Sequence, residues 1–150
     1  MHVSAPADIY IGTYDARFGD GVYEVTATQV AGPLDNGYGL VFRADTDAQQ
    51  FYLFEISGDG YVWIGYCEAL CDNQGWQASD AVRTGLQAPN RLRVEAEGAS
   101  LSFFVNDRPV GRIDDALVAA GAAGVLVETL GQPGVRVRFD DFQVAPLDSP

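Results

Sequence analysis

The sequence predicts an all-β protein in which two antiparallel sheets pack as a sandwich. The first observation is a central run of three strand patterns in residues 38–66, connected by polar residues 45–50 and by a Ser-Gly-Asp-Gly turn at 57–60. The second is the alternation of charged and apolar side chains over residues 91–97, the period of a strand with one buried face. The third is that helical composition is confined to residues 114–123, where Gly121 limits it to one or two turns.

Length and charge narrow the class of protein. The chain has 150 residues, which suits one domain with a substantial core. Its 9 basic and 21 acidic residues give a net charge of -12, which excludes nucleic acid and anionic membrane surfaces as partners. No apolar run reaches the roughly 20 residues that span a bilayer, so we expect no direct membrane insertion. We expect residues 1–8 to be a loose leader and residues 9–150 to form a single domain.

Further strand patterns lie on both sides of the central run, rich in β-branched and aromatic residues and separated by turn signals. Gly-Pro and Asn-Gly signals predict a long turn at residues 31–37. Residues 97–100 predict a hairpin turn, and Asn106-Asp107 predicts another at positions that tolerate positive φ. The predicted strands are residues 9–12, 22–30, 38–44, 51–56, 61–66, 76–79, 91–97, 101–105, 109–113, 125–129, 135–139 and 142–144.

Two cysteines, Cys67 and Cys71, stand in the segment Cys-Glu-Ala-Leu-Cys. A disulfide between them requires the segment to turn, because the Cα atoms must come within about 4.4 to 6.8 Å. Closing so short a loop removes little chain entropy, so the bond would shape a loop tip more than hold the fold. A pair of free thiols is the alternative. A metal site is disfavoured, because two thiolates are half of a tetrahedral set and the one histidine is His2.

Six segments of the sequence resemble a known family, namely residues 38–43, 51–61, 90–95, 101–107, 121–127 and 137–144. They are similar to the concanavalin A-like (laminin G-like) jelly rolls of bacterial lipoproteins and sensor ectodomains, which are related to the 3-keto-disaccharide hydrolase domain. The resemblance covers residues 20–145, and the family's Val-Asn-Gly turn is Val-Asn-Asp at residues 105–107 here. It implies a jelly roll of two curved sheets, an extracellular or cell-surface location, and a concave sheet that holds carbohydrate or another ligand.

Strand alternation predicts which side chains would line that concave face, since neighbours in a strand point to opposite sides. Aromatic rings stack on the apolar faces of sugars, while charged groups hydrogen-bond to hydroxyls. The competing interpretation is that a register slip of one residue puts Trp63 in the core, and that the Arg and Glu residues are cross-strand ion pairs. The predicted ligand-binding residues are Arg43, Glu55, Tyr61, Trp63, Arg93, Glu95 and Phe104.

The sequence favours a protein that is not an enzyme. His2 lies in the expected leader, so a Ser-His mechanism has no usable base. Glu95-Ala-Glu97 is the nearest match to the Glu-x-Asp-x-x-Glu pattern of related glycosidases, and it lacks the third acid. Glu55 and Glu95 could act as acid and base if they lay about 5 to 9 Å apart. We favour instead their pairing with Arg43 and Arg93.

Calcium is the one cofactor with candidate ligands, because laminin G-like folds often hold Ca²⁺ at the rim of the sandwich. No candidate segment resembles an EF-hand loop. The Phe-Asp-Asp-Phe segment at residues 139–142 matches a family motif that fixes the last strand through the backbone. The candidate ligands are Asp45, Asp47, Asp114, Asp115, Asp140 and Asp141.

These observations predict a non-catalytic extracellular module that binds carbohydrate or another extracellular ligand. One alternative is a glycoside-cleaving enzyme of the related hydrolase type, which an acidic pair in a deep cleft would favour. Another is a structural or protein-contacting module of a larger lipoprotein or sensor, which a face filled with Arg-Glu ladders would favour. A flat aromatic concave face would favour sugar binding.

Overall fold

The structure is a computed structural model and describes residues 2–3, 7–13, 16–45, 50–68, 71–73, 75–114, 116, 119–130 and 134–147. The regular elements of these residues are all β-strands, which confirms the predicted class. In chain order they are β1 (His2–Val3), β2 (Ala7–Thr13), β3 (Gly21–Ala31), β4 (Gly37–Asp45), β5 (Gln50–Ser57), β6 (Tyr61–Cys67), β7 (Cys71–Asn73), β8 (Gln77–Ala78), β9 (Pro89–Glu97), β10 (Ser100–Val105), β11 (Arg108–Ile113), β12 (Ala122–Leu130) and β13 (Val135–Ala145).

The strands form two antiparallel sheets. The six-stranded sheet has the order β1-β13-β3-β9-β10-β11. The seven-stranded sheet has the order β2-β12-β4-β5-β6-β7, and β8 also pairs with β6. The central meander is confirmed, because β4, β5 and β6 are consecutive neighbours with Leu40 opposite Phe54 and Phe54 opposite Ile64. On the other side of β4 lies β12, and β2 lies beyond it; both come from distant parts of the chain.

The main core lies between the two sheets and is built from every second residue of the long strands. Phe42 is at its centre, with ring centroids 5.6 Å from Tyr23, 5.6 Å from Tyr52 and 6.1 Å from Phe103. Tyr23 and Phe103 belong to the six-stranded sheet, so these rings join the two layers. The predicted inward residues of β5, β9 and β10 are confirmed as core; they are Tyr52, Phe54, Ile56, Leu92, Val94, Ala96, Leu101, Phe103 and Val105.

Three details differ from the predicted elements. The strands begin before residue 9, because β1 pairs with β13 and β2 starts at Ala7. The two predicted strands 135–139 and 142–144 are one strand, β13, with an irregularity between Asp140 and Gln143 where Asp141 has a φ of 56°. Of the segment with helical composition, the described residues 114, 116 and 119–123 are not helical, and residues 115, 117 and 118 lie outside the described residues.

A search of the described residues for a helix long and apolar enough to cross a membrane finds none.

Candidate functional site

The outer face of the seven-stranded sheet, which points away from the six-stranded sheet, carries a second apolar cluster. Its buried members are Val41, Ala44, Leu53, Trp63, Cys67 and Leu126, and Phe51, Trp76 and Ala122 pack against them. We call this group the outer cluster. A sheet face that points away from the main core is expected to be polar. The apolar side chains buried here show that other side chains of the protein cover part of this face.

Three of the seven predicted ligand-binding residues, Glu55, Tyr61 and Trp63, lie on this outer face. Trp63 is opposite Glu55 across the β5–β6 ladder. Tyr61 is 40% exposed at the start of β6. Trp63 is only 8% exposed and packs in the outer cluster, so the predicted direction of its side chain is right and its predicted exposure is wrong. Trp63 therefore packs beneath the more exposed side chains of this face and supports them.

Arg43 is not on the outer face, and this expectation is corrected. The β4–β5 ladder is irregular between Phe42 and Asp45, and Arg43 has a φ of 48°, which breaks the alternation that the prediction assumed. The side chain is fully buried; its Nη1 donates to the carbonyl of Gly98 over 2.8 Å, and its Nη2 is 3.4 Å from Asp20 Oδ1. Arg43 therefore ties β4 to the β9–β10 turn of the other sheet.

The remaining three predicted residues lie on the wrong sheet for a shared site. Arg93, Glu95 and Phe104 belong to β9 and β10 and alternate with core residues, so they point outward from the six-stranded sheet. The Arg93 guanidinium lies 4.5 Å from the centroid of the Phe104 ring, and its Nη1 is 3.1 Å from Asp107. This face carries the cross-strand charge pairs of the alternative interpretation. Glu55 and Glu95 lie on opposite outer faces of the sandwich, which rules out the acid–base pair that the sequence analysis disfavoured.

The outer face of the seven-stranded sheet instead brings Glu55 together with Glu128. Glu128 is on β12 and is opposite Gly37 of β4, while Glu55 is opposite Gly39, so the two carboxyl groups are diagonal neighbours across β4. They are hydrogen-bonded to each other. We call them the carboxyl pair. Glu55 Oε1 is buried and has no hydrogen-bond partner among the described residues.

Gly37 makes the room that the carboxyl pair needs. A Cβ atom at this position would lie 2.4 Å from Glu55 Oε1 and 2.9 Å from Cη2 of Trp76. Both distances are too short for a real contact, so any side chain at residue 37 would displace the carboxyl group, the indole ring or both. The missing side chain therefore lets the Trp76 ring lie beside Glu55 over β4.

Burial and mutual contact both affect the pKa values of the carboxyl pair. Burial raises the pKa of Glu55 well above its ordinary value, and the charge of Glu128 raises it further. Burial also raises the pKa of Glu128, while its hydrogen bond with Glu55 acts in the opposite direction. The two carboxyl groups therefore titrate as one pair, and the deep burial of Glu55 disfavours its charged form. Glu128 is the half-exposed member, so it presents the negative charge to solvent.

The carboxyl pair has partly exposed rings on one side and an apolar residue on the other. Trp76 is half-buried and Tyr61 is exposed on the β6 side, and Ile11 is 38% exposed beyond β12. Tyr61 on β6 and Glu128 on β12 are separated by three strand spacings, or about 14 Å. Polar and aromatic groups therefore alternate along a stretch of sheet as long as a short oligosaccharide.

Glu128 and Trp76 are the functional candidates that the sequence analysis missed. Residues 125–129 were predicted as a strand, and alternation already placed Glu128 on the side opposite Val125 and Val127. The missing information was that β12 pairs with β4, which brings Glu128 next to Glu55. Trp76 was assigned to a short strand, whereas it precedes β8 and reaches over β4.

The predicted metal ligands are spread over the molecule. Asp114 pairs with Arg112, and Asp140 Oδ2 lies 3.1 Å from Arg138 Nε. Asp47 and Asp115 lie outside the described residues. Within the described part of the chain, no three His, Cys, Asp or Glu residues are grouped so that they could hold a metal ion.

The two cysteines are directly opposite each other in the β6–β7 hairpin, where Cys67 is the partner of Cys71. Opposite residues of an antiparallel pair have Cα atoms about 4.5 to 5.5 Å apart, which is within the range that a disulfide requires. Cys67 is buried in the outer cluster, and the Cys71 side chain lies outside what the structure describes. The backbone therefore provides the turn that the predicted disulfide needs, and the bond itself stays a prediction.

No family model matches the chain, and no curated protein matches it. Among solved structures it is similar to the carbohydrate-binding module CBM66 from Bacillus subtilis, with a TM-score of 0.78 and 20% identity over 94% of this chain and 83% of that one.

Two other solved structures are similar at lower scores. A prokaryotic β-1,3-1,4-glucanase (lichenase) from a mouse hindgut metagenome has a TM-score of 0.63 and 13% identity, over 90% of this chain and 70% of that one. Sheep galectin-11 has a TM-score of 0.52 and 14% identity, over 89% of this chain and 98% of that one. At these identities the likeness establishes the fold alone, and that fold is the concanavalin A-like jelly roll that the sequence predicted.

Proposed function

Because the chain has the concanavalin A-like fold, we propose that it is a non-catalytic extracellular module that binds carbohydrate. The binding surface is the outer face of the seven-stranded sheet around Glu128, Trp76 and Tyr61. The observation that carries the proposal is the carboxyl pair held beside the Trp76 ring by the space at Gly37. A carbohydrate-binding module and a galectin among the similar structures support the ligand class.

The chemistry of the surface suits a sugar. The Glu128 carboxylate accepts hydrogen bonds from ligand hydroxyls, and its hydrogen bond with Glu55 holds its orientation. The partly exposed rings of Trp76 and Tyr61 offer apolar surfaces to the C–H faces of pyranose or furanose rings. Trp63 and Leu126 below them pack in the outer cluster and keep this surface rigid.

Glycoside cleavage is the second candidate, because the same carboxyl pair and a lichenase among the similar structures favour it. Glycosidases that use two carboxyl groups hold them about 5 to 9 Å apart on either side of the scissile bond. Glu55 and Glu128 are hydrogen-bonded to each other, which leaves no room between them for a sugar or a water molecule. This contact is our reason for proposing binding without catalysis.

The test is a glycan-array screen followed by calorimetric titration of the best ligand against wild type and Glu128→Gln. The variant keeps the size of the side chain and removes its charge, so we expect at least a tenfold loss of affinity, about 1.4 kcal/mol. The control is Glu95→Gln, which removes one carboxylate from the opposite outer face and should bind like wild type. Equal affinity of Glu128→Gln and wild type would contradict the proposed surface.

Two additions to this experiment address the alternatives. Incubation of the bound glycan with wild type should release no reducing ends, and release that Glu55→Gln abolishes would support the enzyme instead. EDTA should leave the affinity unchanged, because the proposed contacts are side-chain hydrogen bonds and ring packing. A loss of binding that Ca²⁺ restores would point to a calcium site.

A further inference from the structure

A cavity lies at one edge of the sandwich, on the inner side of β6, the strand next to the one that carries Glu55. It opens between β11, the last strand of the six-stranded sheet, and the β6–β8 edge of the seven-stranded sheet. Its volume is about 880 Å³, within the range of about 300 to 1,000 Å³ that is usual for small-molecule sites. We call it the edge cleft.

The interior of the edge cleft is the unfilled end of the main core. Ile64 and Tyr66 of β6 and Val110 and Ile113 of β11 point toward it and are only partly buried. The Tyr66 ring lies 4.8 Å from that of Tyr52, and burial raises the pKa of Tyr66, with smaller contributions from Glu68 and Tyr52. These residues provide a wall of aromatic and aliphatic carbon that no other described residue covers.

Gly111 of β11 shapes the floor of the edge cleft. A Cβ atom at this position would lie 2.6 Å from Cδ1 of Ile64. The absence of a side chain lets β11 lie against β6 at this point while the cleft stays open on either side. The neighbouring Val110 is the extra residue of an irregularity in the β10–β11 ladder, between Phe103 and Phe104, which turns β11 relative to its neighbour.

The rim of the edge cleft is charged and balanced. Its four charged lining residues are two arginines and two aspartates. Arg108 Nη2 of β11 lies 2.9 Å from Asp80 Oδ1, which follows β8, so this ion pair spans the two walls. Arg112 pairs with Asp114 further along β11. The lining is therefore electrically neutral in a protein whose net charge is -12.

We propose that the edge cleft is a second saccharide site, which takes a neutral sugar of one or two rings. Alternating Arg and Asp side chains offer both donors and acceptors to neighbouring hydroxyls, and Tyr66 with Ile64 and Val110 offers carbon surface to the C–H face. The balanced rim gives an anionic or cationic ligand no net attraction. The proposal rests on the proposed function for the ligand class only, since the cleft and the carboxyl pair share no residue.

The experiment is a titration of ¹⁵N-labelled protein with maltose, cellobiose and sucrose, and with glucuronate as the anionic comparison. A neutral sugar should shift the amides of Val110 and Gly111, with at least tenfold weaker binding in Arg112→Ala. Arg138→Ala is the matched control, because Arg138 pairs with Asp140 two residues along its own strand, as Arg112 does with Asp114, and both arginines are 58% exposed. It should behave like wild type.

The outcomes separate this proposal from the proposed function. Shifts at Val110 and Gly111 that persist in Glu128→Gln and weaken in Arg112→Ala support a separate site in the edge cleft. Shifts confined to the amides around Gly37 overturn the edge cleft and leave the carboxyl-pair surface standing. No shift at Val110 or Gly111 with any neutral sugar, or tighter binding of glucuronate there, also overturns it.

Discussion

At the scale of single residues, the candidate site depends on the absence of a side chain at Gly37 and on the buried carboxyl group of Glu55. Gly37 leaves the volume that Glu55 Oε1 and the Trp76 ring occupy. Glu55 then lies deep enough that its charged form is disfavoured, and burial raises its pKa well above the ordinary value. A buried carboxyl group that stays protonated in the folded state makes stability depend on pH.

We expect Glu55→Gln to raise stability at alkaline pH. The folded pKa of Glu55 lies above its unfolded value, so its contribution is fully present below the unfolded pKa, near 4.3, and is lost as pH rises through the folded pKa. Glutamine cannot ionise and still donates to Glu128. Melting curves should therefore show a steeper fall in Tm from pH 5 to pH 8 for wild type than for Glu55→Gln.

Glu95→Gln is the control for this measurement, because Glu95 lies on the opposite outer face. Its Tm should follow the wild-type pH profile. A wild-type Tm that is flat over this pH range, or a Glu55→Gln protein less stable than wild type at pH 8, would show that the pKa of Glu55 is not raised as described.

At the scale of elements, the β10–β11 hairpin shows how a turn with two non-glycine residues at positive φ is held in place. Its two turn residues, Asn106 and Asp107, have φ values of 50° and 69°, as the sequence predicted for this pair. Asn106 Nδ2 donates to Ala81 O and to Asn90 Oδ1, each over 2.9 Å, and its Oδ1 accepts from the Arg91 amide. Asp107 pairs with Arg91 and Arg93 on the surface.

We expect Asn106→Ala to destabilise the protein by about 2 to 4 kcal/mol. The change removes three hydrogen bonds worth roughly 0.5 to 1.5 kcal/mol each and puts a less tolerant residue at positive φ. Asp107→Gly should change stability by no more than about 1 kcal/mol, because relief of the backbone offsets the loss of exposed ion pairs. Urea unfolding measures both. A larger loss in Asp107→Gly than in Asn106→Ala would contradict this account.

The β6–β7 hairpin leads to a second expectation at this scale, a disulfide between Cys67 and Cys71. Thiol titration of the unfolded, unreduced protein should find no free thiol, and reduction should release two. A loop this short contributes about 2 kcal/mol or less, so reduction should lower Tm by no more than about 8 °C. Two reactive thiols before reduction would contradict the bond. Glu68→Gln is the control, because it changes the charge of the same loop and leaves both cysteines in place.

At the scale of the whole molecule, the sequence predicted the two faces of each strand better than it predicted which strands lie next to each other. Alternation correctly assigned Tyr52, Phe54 and Ile56 to the core, because successive side chains of a strand point to its two opposite faces. It could not show that β9 belongs to the other sheet, so Arg93 was grouped with Glu55. Strand order depends on pairing between distant segments, and the pairing of β12 with β4 brings Glu128 to Glu55.

Arg43 shows the other limit, which is local. A single irregularity in the β4–β5 ladder is enough to turn a side chain from one face to the other, and no residue in the segment marks it in advance. The predicted Arg of a binding face is instead a buried link to the β9–β10 turn. The carbohydrate interpretation survives this correction because the carboxyl pair and the partly exposed rings lie on the sheet that the meander builds.

The position of β11 also bears on how copies of this protein meet each other. It has one neighbour among the described strands, so its far edge carries backbone groups that a strand of a second molecule could pair with. Pro109 removes one donor from this strand, the irregularity beside Phe104 bends it, and Arg108 and Arg112 place charged side chains along it. The same features that open the edge cleft therefore make β11 a poor template for edge-to-edge pairing with a second copy.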